Sequence, residues 1–562
     1  MLTRRDLLQV AVATAALPGL GPLARAASAQ AIDQARLLDF QPKGRLTLMN
    51  LTDIHAQLVP VYFREPSVNI GVGEMEGQVP HLTGKEFLRE YGIEPGSPQA
   101  YMLSSVDFVE LARQYGRVGG LDRIATLVKA IREERGRDNT LLLDGGDTWQ
   151  GSYTSLKTEG GDMVRAMNAL GVDAMTGHWE FTYGDQRFTE LKDQTDAKFL
   201  AGNVIDKTWQ EPVFDGLQMF ERAGTQVAVI GQAFPYTPIA NPDYLIPDWS
   251  FGIREDNVRK EVARARERGA EVVVLLSHDG FDVDRKLARR VDGIDVIFTG
   301  HTHDAIPEPE EINGTLLISS GSHGKFLSRL DLDVRDGRVA DWSYRLIPVL
   351  SDAIDPDPEI AGVVEEIRKP HLATLQTVLG QSETALYRRG NFNGTWDDLI
   401  CQALMREREA DIAMSPGFRW GAALLPGQDI TVEDVYNQTA ITYPEAYRQQ
   451  MSGEQIKLIL EDVADNLFNP DPYYQQGGDM VRMGGLGYRI DVRGERGKRI
   501  SEMTLLKTGE PIEAGRDYTV AGWASVNQGT EGPAIWDVVS DYIRRQGTVK
   551  VERNDRIDVV NA

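Results

Sequence analysis

Histidine and aspartate side chains recur directly after apolar segments of this sequence, and together they could bind metal ions. Imidazole and carboxylate groups suit Mn, Fe and Zn, and an aspartate oxygen can bridge two ions that act on one water molecule. Seven side chains are enough for two ions if Asp147 bridges them. The candidate ligands are Asp53, His55, Asp147, His178, His278, His301 and His303.

The apolar segments that precede these residues predict β-strands. RLTLMNL, NTLLLDGG, EVVVLLS and DGIDVIFTG alternate with amphipathic helical patterns, which is typical of a layered α/β domain. In an open α/β sheet, the loops beyond the carboxyl ends of the strands form the crevice where ligands bind. We therefore expect the seven side chains to meet at one edge of the fold.

The rest of the chain predicts further parts around this domain. The segment 56–112 is long and rich in Gly, Pro and aromatic residues. These features predict an insertion that forms one wall of the site. A Pro- and Asp-rich stop followed by a long helix predicts a linker over residues 351–380. We predict a catalytic domain over residues 40–350 and a second, substrate-binding domain over residues 381–562.

The amino terminus reads as an export signal. Residues 1–26 contain twin arginines, Arg4 and Arg5, then an apolar stretch and a small-residue cleavage site. The alternative is a disordered tail. The signal predicts export to the periplasm through the twin-arginine route. No later run of apolar residues in the sequence is long enough for a membrane span.

Charge and cysteine content exclude several classes of function. The formal net charge is −24 at pH 7, so the chain repels nucleic acid and anionic membranes. An anionic substrate would need local arginine or metal. The single cysteine, Cys401, excludes an internal disulfide framework and is expected to be a buried thiol. We expect no nucleic-acid partner, no membrane partner and a monomer.

The order of the motifs resembles a known family. Asp53-x-His55, Gly146-Asp147, Gly177-His178, Ser277-His278 and Gly300-His301-x-His303 are similar to the calcineurin-type metallophosphoesterases, in particular the two-domain 5′-nucleotidase group. The resemblance runs from about residue 45 to the end. It implies a four-layer β-sandwich flanked by helices, followed by a C-terminal α+β substrate domain.

One segment departs from the nucleotidase pattern and points to a different subgroup. Where nucleotidases have Gly-Asn-His-Glu-Phe-Asp, this chain has GHWEFT, so Trp179 and Thr182 replace a catalytic His and its Asp partner. GHWEFTYG, QAFPYTPIANP at 232–242 and SPGFRWG at 415–421 look like the SoxB family of sulfate thiohydrolases of sulfur oxidation. That resemblance implies two Mn²⁺, with Zn²⁺ or Fe also compatible with the ligands.

The SoxB resemblance also implies a substrate and a mechanism. The substrate would be a cysteine S-thiosulfonate on the arm of the SoxYZ carrier protein, and metal-activated water would attack the sulfonate sulfur to give sulfate. A sulfur leaving group has a pKa nearer the thiol's roughly 8.5, so the loss of an acidic His is tolerable.

Roles for individual residues complete the prediction. Asp147, His178 and Arg419 are the predicted catalytic residues, and Trp179, Tyr183 and Arg419 the predicted substrate contacts. Arg419 falls where the nucleotidase group has a substrate-binding Gly-Gly-Ile-Arg stretch. The alternatives are a surface salt bridge for Arg419 and ordinary core for Trp179. Three carboxylates are expected to orient imidazoles or to lie in solvated turns: Glu180, Asp279 and Asp304.

Two other functions stay open at this point. A periplasmic 5′-nucleotidase would need an aromatic pair to sandwich a base, for which the sequence offers Phe418, Trp420, Tyr443 and Tyr488. A non-catalytic binding protein on the same fold would have lost metal ligands, whereas all seven candidates are present.

Overall fold

The computed structural model describes residues 33–551, 553–554 and 556–562. The predicted export signal at residues 1–26 lies outside this part of the chain. Among the described residues, none of the helices combines the length and the apolar character needed to cross a membrane.

Two six-stranded mixed sheets form the first half of the described chain. In spatial order, the first sheet contains β14 (Arg338–Pro348), β13 (Phe326–Arg335), β1 (Leu46–Leu51), β2 (Thr140–Asp144), β3 (Ala174–Met175) and β4 (Lys198–Phe199). The second contains β11 (Glu310–Ile312), β12 (Thr315–Ser319), β10 (Val296–Thr299), β9 (Val272–Ser277), β7 (Thr225–Gln232) and β6 (Leu217–Arg222). A small ribbon pairs β5 (Ile205–Asp206) with β8 (Trp249–Ser250).

The central strands are apolar on both faces because both faces are covered. In β9, Val272, Val274 and Leu276 point into the core between the two sheets, whereas Val273 and Leu275 pack under the outer helices. Alternate side chains of a strand point to opposite faces, so a continuous apolar run predicts burial on both sides. Two sheets with helices outside each confirm the predicted four-layer sandwich.

Helices form the outer layers of the first domain and also occur in the insertion and the second domain. In chain order they are α1 (Gln34–Leu38), α2 (Gly84–Glu90), α3 (Pro98–Leu103), α4 (Phe108–Tyr115), α5 (Leu121–Arg135), α6 (Tyr153–Thr158), α7 (Gly161–Leu170), α8 (Asp185–Gln194), α9 (Thr237–Ala240), α10 (Glu255–Glu267), α11 (Phe281–Arg290), α12 (Pro358–Arg368), α13 (Leu372–Leu375), α14 (Thr395–Glu407), α15 (Val432–Thr439), α16 (Gly453–Phe468) and α17 (Ile535–Gln546). Helices α5, α7 and α12 cover the first sheet, and α10 and α11 cover the second.

Helix α12 falls in the segment predicted as a linker. Its buried residues Ile360, Val364 and Ile367 belong to the apolar cluster under the first sheet. The helix therefore packs as part of the outer layer of the first domain. The domain boundaries themselves stay a prediction.

Smaller sheets lie in the second half of the described chain, where the second domain is predicted. A three-stranded sheet contains β17 (Asp429–Thr431), β15 (Val378–Ser382) and β24 (Thr548–Val549). A four-stranded sheet contains β18 (Tyr447–Ser452), β23 (Asp517–Gly522), β16 (Ile412–Ser415) and β19 (Arg482–Gly484), and another contains β22 (Glu510–Pro511), β21 (Ile500–Leu505), β20 (Leu486–Asp491) and β25 (Ile557–Val560). Cys401 on α14 is buried, and burial raises its pKa well above the usual value.

The segment predicted as an insertion joins the two domains. Tyr62 forms a β-bridge with Ala423, and the backbone N–H of Ile70 donates to Oδ1 of Asn391 at 2.6 Å. The first residue of each pair lies in the insertion and the second in the second domain. This segment therefore holds the two domains together beside the strand ends.

Candidate metal centre and substrate cavity

Loops after five strands carry the seven predicted ligands. Asp53 and His55 follow β1, Asp147 follows β2, and His178 follows β3. His278 follows β9, and His301 and His303 follow β10. Because β1, β2 and β3 are mutually parallel and β9 and β10 are parallel, each sheet delivers its ligands at the carboxyl ends of its strands.

The backbone is in an uncommon conformation at most of these positions. Five of the seven have positive φ angles: Asp53 (52°), His55 (49°), Asp147 (61°), His301 (71°) and His303 (61°). A left-handed conformation costs a non-glycine residue about 1–2 kcal/mol. Such strain concentrates at sites where the surrounding structure forces a side chain into position for function.

One group of four side chains surrounds a possible ion position. It consists of Asp53, His55, Asp147 and His303, and their ligand atoms lie within 4.8 Å of one another. Nε2 of His55 is 3.4 Å from Oδ2 of Asp147, and Nε2 of His303 is 3.2 Å from Oδ1 of Asp53.

The second group consists of His178, His278 and His301, again with ligand atoms within 4.8 Å. Nε2 of His278 is 3.5 Å from Oδ2 of Asp147 and 3.6 Å from Oδ1 of Asp53. Oδ2 of Asp147 therefore lies close to an imidazole of each group, which is the position that a bridging carboxylate needs.

Hydrogen bonds fix the orientation of several ligands. Nδ1 of His278 is 2.6 Å from the carbonyl oxygen of Gly145, so that nitrogen donates and Nε2 faces the carboxylates. Asp53 accepts from the backbone N–H of His301 at 3.0 and 3.1 Å, and Asp147 accepts from the N–H of Trp179 at 3.2 Å. These carboxylates therefore connect loops as well as offering free lone pairs.

Of the three carboxylates predicted near the site, Glu180 does not orient an imidazole. Its carboxylate accepts backbone N–H bonds from His178 at 2.7 Å and from Thr148 at 2.6 Å, and also from Asp147 and Trp149. Glu180 is fully buried, so the alternative of a solvated turn is wrong. It holds together the two loops that carry Asp147 and His178.

Four of the five histidine rings in the two groups are in the form that binds metal. Burial lowers the pKa of His178, His301 and His303 well below 6.5 and lowers that of His55 to about 4. These imidazoles are therefore neutral at pH 7, with a free lone pair. For His278, burial lowers the pKa, but the negative charges of Asp53 and Asp147 outweigh burial and raise it to about 10.

The residues fit a pair of divalent cations. Within the described chain, Nε2 of His278 and Nε2 of His301 are buried at this cluster and have no hydrogen-bond partner. Buried polar atoms are rarely left unpaired, and a cation satisfies lone pairs that no protein donor reaches. Three or four buried nitrogen and oxygen ligands per group match the donor sets of Mn, Fe or Zn.

Arg419 of the second domain reaches the cluster. It follows β16, its side chain is 15% exposed, and its charge contributes to the low pKa of His301 and His303. Nη2 donates to the carbonyl oxygen of Gly478 at 2.7 Å, and Nε lies 3.5 Å from Oδ1 of Asp479. Nη1 is buried and finds no partner among the described residues. A surface salt bridge is therefore excluded for Arg419.

A buried ionic network holds Arg419 in place. Nη2 of Arg482 is 2.9 Å from Asp479 and its Nε is 3.5 Å from Asp397, which in turn accepts from Nε of Arg388 at 2.9 Å. Three guanidinium groups thus share two carboxylates, which leaves one positive charge in excess.

A cavity of about 220 Å³ separates the ligand cluster from the second domain. Its polar floor is formed by His55, Asp147, His178, His301 and His303. Aromatic walls come from Trp179, Phe234, Phe418 and Trp420, and Arg419 points into the same space. The Trp179 ring meets Phe418 edge-on at 5.3 Å, so this tryptophan closes the site against the second domain instead of filling the core of the first.

Two predicted aromatic roles do not agree with this geometry. Tyr183 lies outside the cavity lining, because its hydroxyl donates to the carbonyl oxygen of Trp149 at 3.0 Å behind the loop. Phe418 and Trp420 stack directly on each other at 5.3 Å, whereas a base between them would need roughly 7 Å. Tyr443 and Tyr488 are buried at 3% and 2% exposure. The aromatic pair that a nucleotidase would need is therefore not open.

Sequence reasoning missed two residues beside the cluster. His323 is buried with a φ of 55°, its ring centre is 5.3 Å from that of His55, and its Nε2 accepts from the N–H of Gly421 at 3.1 Å. Arg389 of the second domain lies 3.9 Å from Asp304. His323 follows no strand directly, but the Gly-Ser-His-Gly turn around it was an available signal.

Comparisons with known proteins find similarity over the second domain and over the whole fold. The 5′-nucleotidase, C-terminal domain family matches residues 373–540. The protein UshA of Yersinia enterocolitica is 24% identical over 482 residues, which cover 75% of this chain and 84% of that protein. A 5′-nucleotidase precursor from Thermus thermophilus shares the fold, with a TM-score of 0.73 and 21% identity over 92% of this chain and 99% of that one.

A higher similarity is found to the sulfate thiohydrolase SoxB of Thermus thermophilus, solved in complex with glycerol. Its structure superposes with a TM-score of 0.90 and 37% identity, over 93% of this chain and 98% of that chain. The nucleotidase-type C-terminal domain and the overall fold are common to this wider group. The chain therefore belongs to the SoxB sulfate thiohydrolase family, within the superfamily of 5′-nucleotidases and calcineurin-type metallophosphoesterases.

Proposed function

We propose that this enzyme is a dimanganese hydrolase that releases sulfate from a cysteine S-thiosulfonate on the arm of a SoxYZ-type carrier protein. It works in the periplasm as a monomer, after export by the twin-arginine signal predicted at residues 1–26. The 37% identity to SoxB supports the substrate class. A periplasmic 5′-nucleotidase is the alternative.

The observation that carries the proposal is the position of Trp179. It stands where nucleotidases have a catalytic His, it is 4% exposed, and its ring closes the cavity together with Phe418. The cavity of about 220 Å³ suits a slender thiosulfonate arm better than a nucleotide, which also requires a place for its base. The self-stacked Phe418 and Trp420 offer no such place.

Arg419 supplies the anion-binding group in the proposed mechanism. Two of its nitrogens are fixed by Gly478 and Asp479, and the unpartnered Nη1 is left to bind a sulfonate oxygen. The guanidinium offers its remaining donors in a planar fork that matches paired oxygens, and the excess positive charge of its network balances the anion.

The remaining residues position the reactants and exclude bulk water. When bound, a pair of divalent ions lowers the pKa of a water molecule and balances charge on the sulfonate oxygens. Asp53 and Asp147 hold their loops in register through backbone N–H groups, so the ligand atoms are arranged before substrate arrives. Trp179, Phe234 and Phe418 form dry walls along the scissile bond.

The leaving sulfur explains why no acid is needed at Trp179. Sulfur leaves as a thiolate-type anion, whose conjugate acid has a pKa near the thiol's roughly 8.5, whereas an alkoxide must be protonated as it leaves. Thr182 stands where nucleotidases have the Asp partner, and its hydroxyl lies 2.7 Å from that of Thr442 in the second domain. Both positions of the dyad therefore serve contacts between domains.

The test is sulfate release from a carrier protein loaded with thiosulfonate. The enzyme is stripped with a chelator, reloaded with Mn²⁺, Zn²⁺ or Fe²⁺, and assayed in parallel for phosphate release from 5′-nucleotides. We expect sulfate release that returns with manganese and little phosphate release. Rapid nucleotide hydrolysis without sulfate release would instead establish the nucleotidase alternative.

A further inference from the structure

A second cavity shares His301 with the substrate cavity. Its volume is about 60 Å³, enough for a few water molecules. His301, Arg419, Gly477 and Gly478 line both cavities, so the two share a wall at the metal cluster. We call this second cavity the water chamber.

The water chamber is lined by polar atoms that need partners. Within the described chain, the atoms without a hydrogen bond include Nδ1 of His81, Oδ1 of Asp282, both carboxylate oxygens of Asp279 and Nε of Arg389. Buried polar groups without protein partners are normally satisfied by ordered water. Water in the chamber could therefore link His301 to the other polar residues of its lining by hydrogen bonds.

His81 and Asp282 form a pair in the lining of the water chamber. Nε2 of His81 is 2.8 Å from Oδ2 of Asp282, and their side chains are 13% and 8% exposed, whereas His278 and Asp53 are fully buried. His81 belongs to the insertion and Asp282 to helix α11. The pair is thus a partly exposed His–Asp dyad that lines the water chamber.

Hydrolysis creates a need for such a pair. In R–S–S–SO₃⁻ + H₂O → R–S–S⁻ + SO₄²⁻ + 2 H⁺, where R–S is the cysteine of the carrier arm, the water oxygen bonds to the sulfonate sulfur. The bond between that sulfur and the neighbouring sulfur breaks, and the neighbouring sulfur leaves with the electron pair. Both protons of the water must leave a buried site. The proposed substrate fills the other cavity, and Trp179 and Thr182 replace the dyad that nucleotidases have.

We propose that the His81–Asp282 pair carries protons released by hydrolysis from the metal cluster to the solvent through the water chamber. This inference rests on the proposed hydrolase function. Asp282 stabilises the imidazolium that forms when His81 accepts a proton, and solvent then takes that proton. The insertion thereby contributes a relay residue in addition to walling the site.

The charges around His81 favour a proton acceptor. Burial lowers its pKa, but the charge and hydrogen bond of Asp282 and the charge of Asp304 outweigh burial and the opposing charge of Arg285. The net shift raises the pKa above 6.5. His81 therefore accepts a proton readily near neutral pH and returns it to solvent.

The test compares His81→Ala with a matched control, His371→Ala, on the manganese-loaded enzyme. His371 packs on Tyr153 and lines neither cavity. General acid–base groups typically contribute about 10²–10⁴-fold, and we expect the relay variant to lose roughly 10²-fold in kcat, at the low end of that range. Free imidazole should restore much of the rate to His81→Ala and leave the control unchanged, and metal content should be unchanged in both.

Asp282→Asn provides a second readout that does not depend on removing the ring. It removes the charge that raises the pKa of His81, so the acidic limb of the pH–rate profile should move to lower pH. The relay is overturned if His81→Ala keeps the full wild-type rate. It is also overturned if imidazole does not restore the rate lost in His81→Ala and the acidic limb of the pH–rate profile stays in place in Asp282→Asn. If the wild-type enzyme releases no sulfate, the proposed function fails instead.

Discussion

Gly477 of the second domain lies so close to His301 that even an alanine at this position should disturb the predicted metal ligand. A methyl group on Gly477 would lie 2.8 Å from Cε1 and 3.0 Å from Cδ2 of His301, and closer still to Nε2. Carbon atoms pack at about 3.5 Å or more, so the ring or the loop must move by roughly 0.7 Å or more. That movement falls on a predicted metal ligand.

The matched control is Gly478→Ala. Gly477 and Gly478 have φ angles of +79° and +77°, so an alanine at either position costs about 1–2 kcal/mol for the left-handed backbone. At Gly478 the nearest atom to an added methyl is the carbonyl oxygen of Gly417 at 3.6 Å, an ordinary contact. The difference between the two variants therefore isolates the contact with His301.

We expect Gly477→Ala to lose about 10²-fold in kcat/KM, the cost that a misplacement of about 1 Å can carry. It should also bind less than two metal ions per chain, measured by elemental analysis. Gly478→Ala should keep both ions and most of the activity, and both variants should unfold at similarly lowered temperatures. If Gly477→Ala matches Gly478→Ala in metal content and activity, the loop does not press on the metal centre.

Four further predictions concern the site and its surroundings. Asp147→Ala should remove one or both ions, since each group loses an oxygen within reach; two ions in the purified variant would disprove the bridge. Trp179→His with Thr182→Asp should give at most feeble phosphatase activity, because the aromatic stack still leaves no place for a base; robust nucleotide hydrolysis would show that the dyad alone sets specificity. Arg419→Lys should lower kcat/KM for sulfate release, and Arg419→Ala should lower it further, both at constant metal content. The reason is that lysine keeps the charge but loses the planar fork of donors. A wild-type rate of Arg419→Ala at sub-saturating substrate would remove Arg419 from the mechanism. Hydrogen bonds from two arginines and a tyrosine lower the pKa of Glu255 from 4.5 to about 2, so the carboxylate stabilises the fold above pH 4.5 and this stabilisation is lost as the pH falls towards 2. Glu255→Gln should therefore lower the melting temperature at pH 7 and make little difference at pH 2. An equal decrease at both pH values would exclude the ion pairs as the cause.

The sequence predicted the layers and the candidate ligands because both depend on local patterns. A strand that is buried on both faces must be continuously apolar. Because parallel strands end at the crevice, the residues that follow β9 and β10 are expected to lie there. Asp53 and His278 could therefore be placed in one cluster without knowledge of the loops. The structure brings them within 3.6 Å.

The roles of Glu180 and Tyr183 could not be predicted because they depend on contacts between loops. Glu180 accepts N–H bonds from a loop more than thirty residues earlier in the chain. Tyr183 lies in the predicted segment, but the 3₁₀ turn Trp179–Tyr183 directs its hydroxyl towards Trp149. A motif gives the order of residues, whereas the direction of each side chain depends on the turn that carries it.

The charges around Arg419 explain how a strongly acidic chain could bind an anionic substrate. An acidic chain of net charge −24 should repel an anionic substrate, and the sequence offers only the general remedy of a local arginine. The structure has two buried arginines and the partly exposed Arg419 on two carboxylates, and Asp479 and Gly478 hold Arg419 at the cavity. Removing one partner of a buried ion pair costs about 3–5 kcal/mol, so the inner pairs keep the network rigid. The excess charge is therefore confined to Arg419, where an incoming sulfonate can balance it.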